Sequence, residues 1–184
     1  KILYLVFNSR NRQEAKSKFP HNVDVHTIHS FALSSLGSSF DGFESVRPSQ
    51  FLKHFRANKE TLATLTSDFI VFFLNSAYRK PDQAIDPYKQ QLSDELREIF
   101  TRSKMDINEI SRTSLNSWYK TKKDCPHDFY LKLSHLENKF QDKLAKYELV
   151  LIDEGQDLSP IMIDALSTYS GRVIIVGDSH QQIY

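Results

Sequence analysis

The 184-residue sequence predicts an α/β fold in which an all-helical insertion interrupts a parallel sheet. Three observations predict it. Apolar runs at 2–7, 149–152 and 173–176 are continuous rather than alternating, the pattern of parallel strands covered on both faces. Segments with helical periodicity lie between these runs. From residue 47 to 147 nothing reads as a strand.

The elements follow in order. After the first strand, 12–19 reads as a helix, 23–25 as a short strand and 28–36 as a second helix. Gly37 suits its C-terminal cap. In the middle, Leu62, Leu65, Phe69, Phe73 and Ala77 recur at steps of three and four. Asp86-Pro87 is expected to start the next helix, with Leu92, Leu96, Ile99 and Phe100 on one face. Asp106-Ile107-Asn108-Glu109 has the form of a capping box. Phe129, Leu133, Leu136, Phe140 and Leu144 make a further stripe. After the strand at 149–152, Ser159-Pro160 places an N-cap before a proline at the first helical position. That helix is expected to bury Ile163 and Leu166. The expected division is 1–46 with 148–184 as the sheet domain and 47–147 as the insertion.

Composition narrows the function classes. Hydrophobic residues make up 40% and charged residues 26%, which suits a folded globular chain. No apolar run reaches the roughly 20 residues that span a bilayer. No secretory signal opens the chain, so an intracellular setting is expected, nuclear in a eukaryote and cytoplasmic in a bacterium. The single Cys125 rules out an internal disulfide and a cysteine-based zinc site. Both ends read as cut from something longer, because the chain opens in a strand without Met and stops soon after another. The net charge is +1, but it is uneven. Residues 47–147 hold 18 Lys+Arg against 13 Asp+Glu, and the rest hold 6 against 10. A basic insertion suits a polyanion partner, and equally a solvated helical surface.

Four places carry chemistry. The strand at 149–152 ends in Asp153 and Glu154, within Asp153-Glu154-Gly155-Gln156-Asp157. Ligands gather at the carboxyl ends of parallel strands. A carboxylate there can hold Mg²⁺ against nucleotide phosphates, and a neighbour can take a proton from water. The plain alternative is a strand end whose acids cap the next helix. The strand at 173–176 runs into Gly177-Asp178-Ser179-His180-Gln181-Gln182-Ile183-Tyr184. There Gln181 can bond a phosphate oxygen or water and Tyr184 can stack on a base; a turn with Tyr184 in the core is the other reading. Thr27, His29 and Ser30 stand at a strand-to-helix junction, where phosphates bind and where an ordinary N-cap also belongs. His26 and His29 lack a third ligand at metal spacing. Trp118-Tyr119-Lys120-Thr121-Lys122-Lys123 interleaves aromatics with lysines, suiting a phosphate backbone with stacked bases, or a helix end with Trp118 in the core.

Together these segments resemble the first motor domain of superfamily 1 DNA helicases of the UvrD/Rep type. Val6-Phe7-Asn8 looks like motif Ia and Thr27-Ile28-His29-Ser30-Phe31-Ala32 like motif Ib. Asp153-Glu154-Gly155-Gln156-Asp157 is similar to motif II, with Gly155 in place of the usual alanine or tyrosine, and 177–184 is similar to motif III. The ending His-Gln-Gln-Ile-Tyr, with 127–133 upstream, looks nearest to the F-box DNA helicase branch. The resemblance implies a RecA-like P-loop NTPase sheet with a helical 1B-type subdomain inserted between motifs Ib and II. It implies ATP and Mg²⁺ as cofactors, with Asp153 as metal ligand, Glu154 activating the attacking water and Gln181 sensing the γ-phosphate. It implies single-stranded DNA along Phe7 or Asn8, Thr27, His29 and Ser30, with Tyr184 stacking on a base, and duplex junctions as substrate. Lys120, Lys122, Lys123 and Trp118 are added to that DNA path on their composition alone. F-box-type partners follow only from the family.

No Gly-x-x-x-x-Gly-Lys-Ser/Thr loop occurs in the 184 residues, so the Walker A segment is absent, and so is a second motor domain. The chain alone is therefore expected to hydrolyse little ATP. Two rival readings stand beside the helicase: a non-catalytic single-stranded nucleic-acid-binding module, which has no need of both acids, and a different P-loop enzyme such as a nucleotide kinase.

Overall fold

The structure is a computed structural model that describes residues 1–37 and 39–178. The expectations for Gln181 and Tyr184 lie outside the described residues. In chain order the elements are β1 (Ile2–Val6), α1 (Ser9–Lys18), β2 (Val23–Thr27), α2 (Ile28–Ser35), β3 (Asp41–Phe43), α3 (Lys59–Asn75), α4 (Pro81–Gln90) and α5 (Asp94–Thr121). They continue with β4 (Lys123–Cys125), α6 (His127–Leu136), α7 (Lys139–Leu144), β5 (Leu149–Ile152), α8 (Pro160–Ser167) and β6 (Arg172–Ile175). No helix among the described residues is long and apolar enough to cross a membrane.

The chain forms two compact units, 1–38 with 130–184 and 39–129. Their limits differ from the expected 46/47 and 147/148. Residues 140–147 pack with the sheet unit because their aromatics do: Phe31 of α2 meets Phe140 at 5.1 Å and Tyr147 at 6.1 Å between ring centroids.

The sheet unit holds four strands in the order β2-β1-β5-β6, every neighbouring pair parallel. Leu3, Leu5, Val6, Val150 and Ile152 are buried. Asn8 starts α1 three residues before the expected helix, its side chain accepting from the Asn11 amide at 2.8 Å. Gly37, at φ +63°, follows α2 in the left-handed region where glycine is least strained. Two expectations fail here. β6 was expected to be buried, yet Ile174, Ile175 and Val176 are all more than half exposed, because β6 is an edge with one neighbour among the described strands. Ile163 was expected in the core but is exposed; Ile161, Met162 and Ala165 form the buried face of α8 instead.

In the helical unit, α3, α4 and α5 close around Phe69, Tyr88 and Phe100, whose rings meet at 5.2 to 5.9 Å. Leu62, Leu65, Phe69 and Phe73 form the buried stripe, whereas Ala77 lies beyond the helix end and is exposed. Asp86-Pro87 does not open a helix. Pro81 occupies the first turn of α4 and Pro87 sits inside it, while Ser93 caps α5 by accepting from the Leu96 amide. Asp106 to Glu109 is no cap either, because α5 runs on for 28 residues and buries Ile107. The middle also holds strands: β4 pairs in parallel with β3.

Candidate active site

Because the four strands run parallel, their carboxyl ends share one edge of the sheet. The register sets Val6 beside Thr27, Leu5 beside Ile152 and Ile152 beside Ile175. Neighbouring strands lie about 4.8 Å apart. Phe7 and Asn8, Thr27 with Ile28, Asp153 with Glu154, and Val176 with Gly177 therefore leave the sheet along one line. Motifs spread over some 170 residues of chain meet there.

The corner after β5 is tightly built. Glu154 adopts φ +54°, ψ +47°, a left-handed conformation that costs a non-glycine residue free energy and concentrates at functional sites. The Glu154 amide donates to Asp153 Oδ1 at 3.1 Å, and the Tyr4 hydroxyl donates to Asp153 Oδ2 at 3.0 Å. Burial first, then the hydrogen bond to Asp153, pushes the Tyr4 pKa up to about 12, so Tyr4 stays a donor at any working pH. Gln156 donates from Nε2 to Glu154 Oε2 at 2.7 Å and accepts from the Asp178 amide at 3.0 Å. The Gly155 amide donates to the Val176 carbonyl at 2.8 Å. Gln156 and Gly155 thus tie the turn after β5 to the chain leaving β6. A Cβ on Gly177 would stand 2.5 Å from Gln156 Oε1 and 2.8 Å from the Gly155 amide nitrogen, so the approach requires glycine.

Each Asp153 oxygen accepts one hydrogen bond and keeps a second lone-pair direction. Glu154 Oε1 accepts none among the described residues. Among the described residues no three His, Cys, Asp or Glu side chains converge as a metal cluster. A cation here would rest on Asp153 with water and phosphate, a donor set that suits Mg²⁺.

At the end of β2, Thr27 caps α2. Its Oγ1 accepts from the Ser30 amide at 3.1 Å, and Ser30 Oγ donates back to the Thr27 carbonyl at 3.0 Å. The His29 ring stands edge-on to Tyr130 at 6.1 Å. His26 is half-buried against Phe31, with Nδ1 unpartnered. Asn8 is exposed and acts as the cap of α1; Phe7 is half-buried.

The lysine-aromatic run lies in the helical unit, apart from this edge in the chain. Lys120 and Lys123 are exposed. Lys122 caps α5 at φ +57°, its Nζ 4.9 Å from the centroids of both Phe40 and Tyr119. Trp118 is half-buried, its ring 5.5 Å from that of Phe129, and it lines a groove with Glu44, Asp106, Glu109 and Asp124.

Sequence reasoning passed over Tyr4, Gln156 and Gly177. The signal for Tyr4 was its hydroxyl in an otherwise aliphatic strand. The role of Gln156 needs the turn geometry, and that of Gly177 needs the neighbouring loop.

The comparisons agree with this arrangement. Residues 7–184 match the UvrD/REP helicase N-terminal domain family. The whole chain aligns at 29% identity over 213 positions with F-box DNA helicase protein 1 of Schizosaccharomyces pombe, covering 23% of that protein. It aligns at 27% over 210 positions with F-box DNA helicase 1 of Gallus gallus, covering 19%. The chain thus spans about a fifth of the length of these curated relatives. It carries a parallel α/β sheet interrupted by helices, with the paired acids at a strand end, and belongs to the UvrD/REP helicase N-terminal domain family.

Proposed function

We propose that this chain is the nucleotide- and strand-binding part of an ATP-dependent DNA helicase, one that moves 3′ to 5′ on single-stranded DNA and opens duplex junctions. The observation that carries the reading is the shared edge: Asp153-Glu154 and the Thr27-His29-Ser30 turn stand at the ends of strands in one parallel sheet. The sheet unit takes the role of the RecA-like domain and the helical unit that of the inserted 1B subdomain. Both relatives are eukaryotic, so the nuclear compartment is the one this reading takes.

Asp153 holds Mg²⁺, which when bound draws charge from the nucleotide phosphates. Glu154 Oε1 takes the proton of the attacking water. Gln156 keeps Glu154 Oε2 engaged, so the carboxylate presents one oxygen in a set direction. Gln181 senses the γ-phosphate. Gln156 ties the turn after β5 to the chain at Asp178, three residues before Gln181. Phe7, Asn8, Thr27, His29 and Ser30 line the path of the strand, with Tyr184 stacking on a base; within the helical unit, Trp118, Lys120, Lys122 and Lys123 are proposed as nucleic-acid contacts on their composition.

In the full-length protein, Glu154→Gln is expected to keep ATP binding and lose about a hundred- to ten-thousandfold in DNA-stimulated turnover, as removal of a general base does. Unchanged turnover would remove Glu154 from that role. The 184-residue chain alone is expected to show little ATPase, and robust DNA-stimulated hydrolysis by it would refute the assignment.

A further inference from the structure

Within the sheet unit lies a hollow of about 250 Å³. Ser34 and Ser35 of α2 line it, with Lys139, Asp142, Lys143 and Lys146 from α7 and the turn after it. Three ammonium groups face one carboxylate. Lys139 reaches Glu137 at 3.7 Å, but Lys143 and Lys146 form no ion pair among the described residues. Lys143 Nζ donates to Ser34 Oγ and stands 4.5 Å from the Phe31 ring centroid. The acid that acts on Lys143 is Asp24, which is itself paired with Lys1 at 2.6 Å and bonded by the Tyr147 hydroxyl at 2.7 Å. Burial, then the neighbouring Lys146, holds the Lys143 pKa below its usual value. Cations placed side by side repel one another, and an anion between them relieves both.

The position of the hollow says which anion. Thr27, Ser30 and Ser34 follow one another at steps of three and four, so their hydroxyls share one face of α2. From Thr27 to Ser34 is seven residues, about 10 Å along the helix. That is longer than one phosphate-to-phosphate step of a single strand, so a strand seated at Thr27 would bring a further phosphate to this end of α2. The line starts at the turn assigned above to the DNA strand and ends at Lys143.

We propose that this hollow seats a backbone phosphate of single-stranded DNA, further along the same strand from the one at Thr27, with Lys143 and Lys146 as its cationic contacts and the Ser34 hydroxyl beside them. The proposal rests on the single-strand reading of the Thr27 turn and extends it to residues outside the family motifs. Asp142 opposes the phosphate and tempers its affinity.

The test is fluorescence anisotropy of a fluorescein-labelled thymidylate 15-mer titrated with the 184-residue chain, repeated across a salt series. Lys143→Gln with Lys146→Gln is expected to weaken binding about tenfold at low salt and to make the salt slope shallower by about 1.4, at about 0.7 for each ammonium charge removed from the phosphate. Asp142→Asn is expected to tighten binding about two- to threefold. Lys104→Gln, an exposed lysine of α5, is expected to change neither quantity. Lys143 packs on Phe31, so if circular dichroism shows the double variant unfolded, the exposed Lys146→Gln alone carries the test, with a slope change of about 0.7. Binding with an unchanged slope in the folded lysine variants overturns this inference and leaves the Thr27 path standing. No binding by the unaltered chain overturns both.

Discussion

The two compact units both close on large side chains but differ in where they gather their polar groups. In the helical unit the core is aromatic, with Phe69, Tyr88 and Phe100 in ring contact. Helices pack about 8–10 Å apart, the distance depending on the side chains at the contact, and here large rings fill it. In the sheet unit the strands bury Leu3, Leu5, Val150 and Ile152, and the flanking helices add the ring contact of Phe31 with Phe140. Its polar groups collect where the strands stop. A parallel sheet orders its backbone through its own hydrogen bonds and brings all its carboxyl ends to one edge. The helical unit is thus built from packing, and the sheet unit holds a rigid edge to which reactive groups can be attached.

The largest effect expected from that contrast falls on the helical unit. Phe69→Ala removes a fully buried ring and should cost about 3–5 kcal/mol. Trp118, the single tryptophan, lies in that unit and reports its unfolding in urea. Amide exchange in β1 and β5 should barely change. Equal loss of protection in those strands would show the two units to be one cooperative body and would break the comparison.

The next effect belongs to the sheet unit and depends on pH. Burial, then the charges of Lys143 and Arg12, pulls the His26 pKa down to about 4, against about 6.5 for a free histidine. The folded state therefore binds fewer protons than the unfolded state between those values. Stability should be fully present above pH 6.5 and decline as pH falls toward 4, by at most roughly 3 kcal/mol at 1.36 kcal/mol per unit. Below 4 both states are protonated and the slope ends. His26→Asn should flatten the profile in this window, and an unchanged slope would place its origin elsewhere.

Gly177→Ala probes the corner itself. The new Cβ would collide with Gln156 Oε1 and the Gly155 amide, and forcing them apart should cost about 1–3 kcal/mol. The Asp178 amide should exchange faster, while the Trp118 transition stays where it was. An unshifted Asp178 amide would mean that the corner is looser than its close contacts imply.

Legibility in the sequence followed the same divide. The strands at 2–7 and 149–152 could be read because continuous apolar runs have few other uses. The 28-residue α5 could not, because Asp106 and Glu109 are helix-compatible acids that also mimic a cap, and only the burial of Ile107 against its neighbours decides between the two. β3 and β4 were missed because three-residue strands carry no periodicity. Asp153 and Glu154 stood out as paired acids after a strand. The hollow at Lys143 and Lys146 stayed hidden because Ser34 and Lys143 are 109 positions apart. The Trp118 run attracted notice by composition, which carries no record of the groove that Trp118 lines with Glu44, Asp106, Glu109 and Asp124.

Tyr4→Phe gives the smallest and sharpest test of the site. The ring stays, and with it the 4.8 Å contact with Phe19. Only the hydroxyl that donates to Asp153 Oδ2 is removed. A net hydrogen bond of this kind contributes about 1 kcal/mol, somewhat more when the acceptor is charged, so the midpoint for the sheet unit should fall slightly. Asp153 loses the donor that fixes its plane, so Mg²⁺-dependent turnover in the full-length protein should fall severalfold while DNA affinity holds. If DNA affinity fell with turnover, Tyr4 would be acting through the sheet as a whole. If turnover held while stability dropped, the hydroxyl would serve the fold alone, and the orientation of Asp153 would have to come from the Glu154 amide, the other donor on that carboxylate.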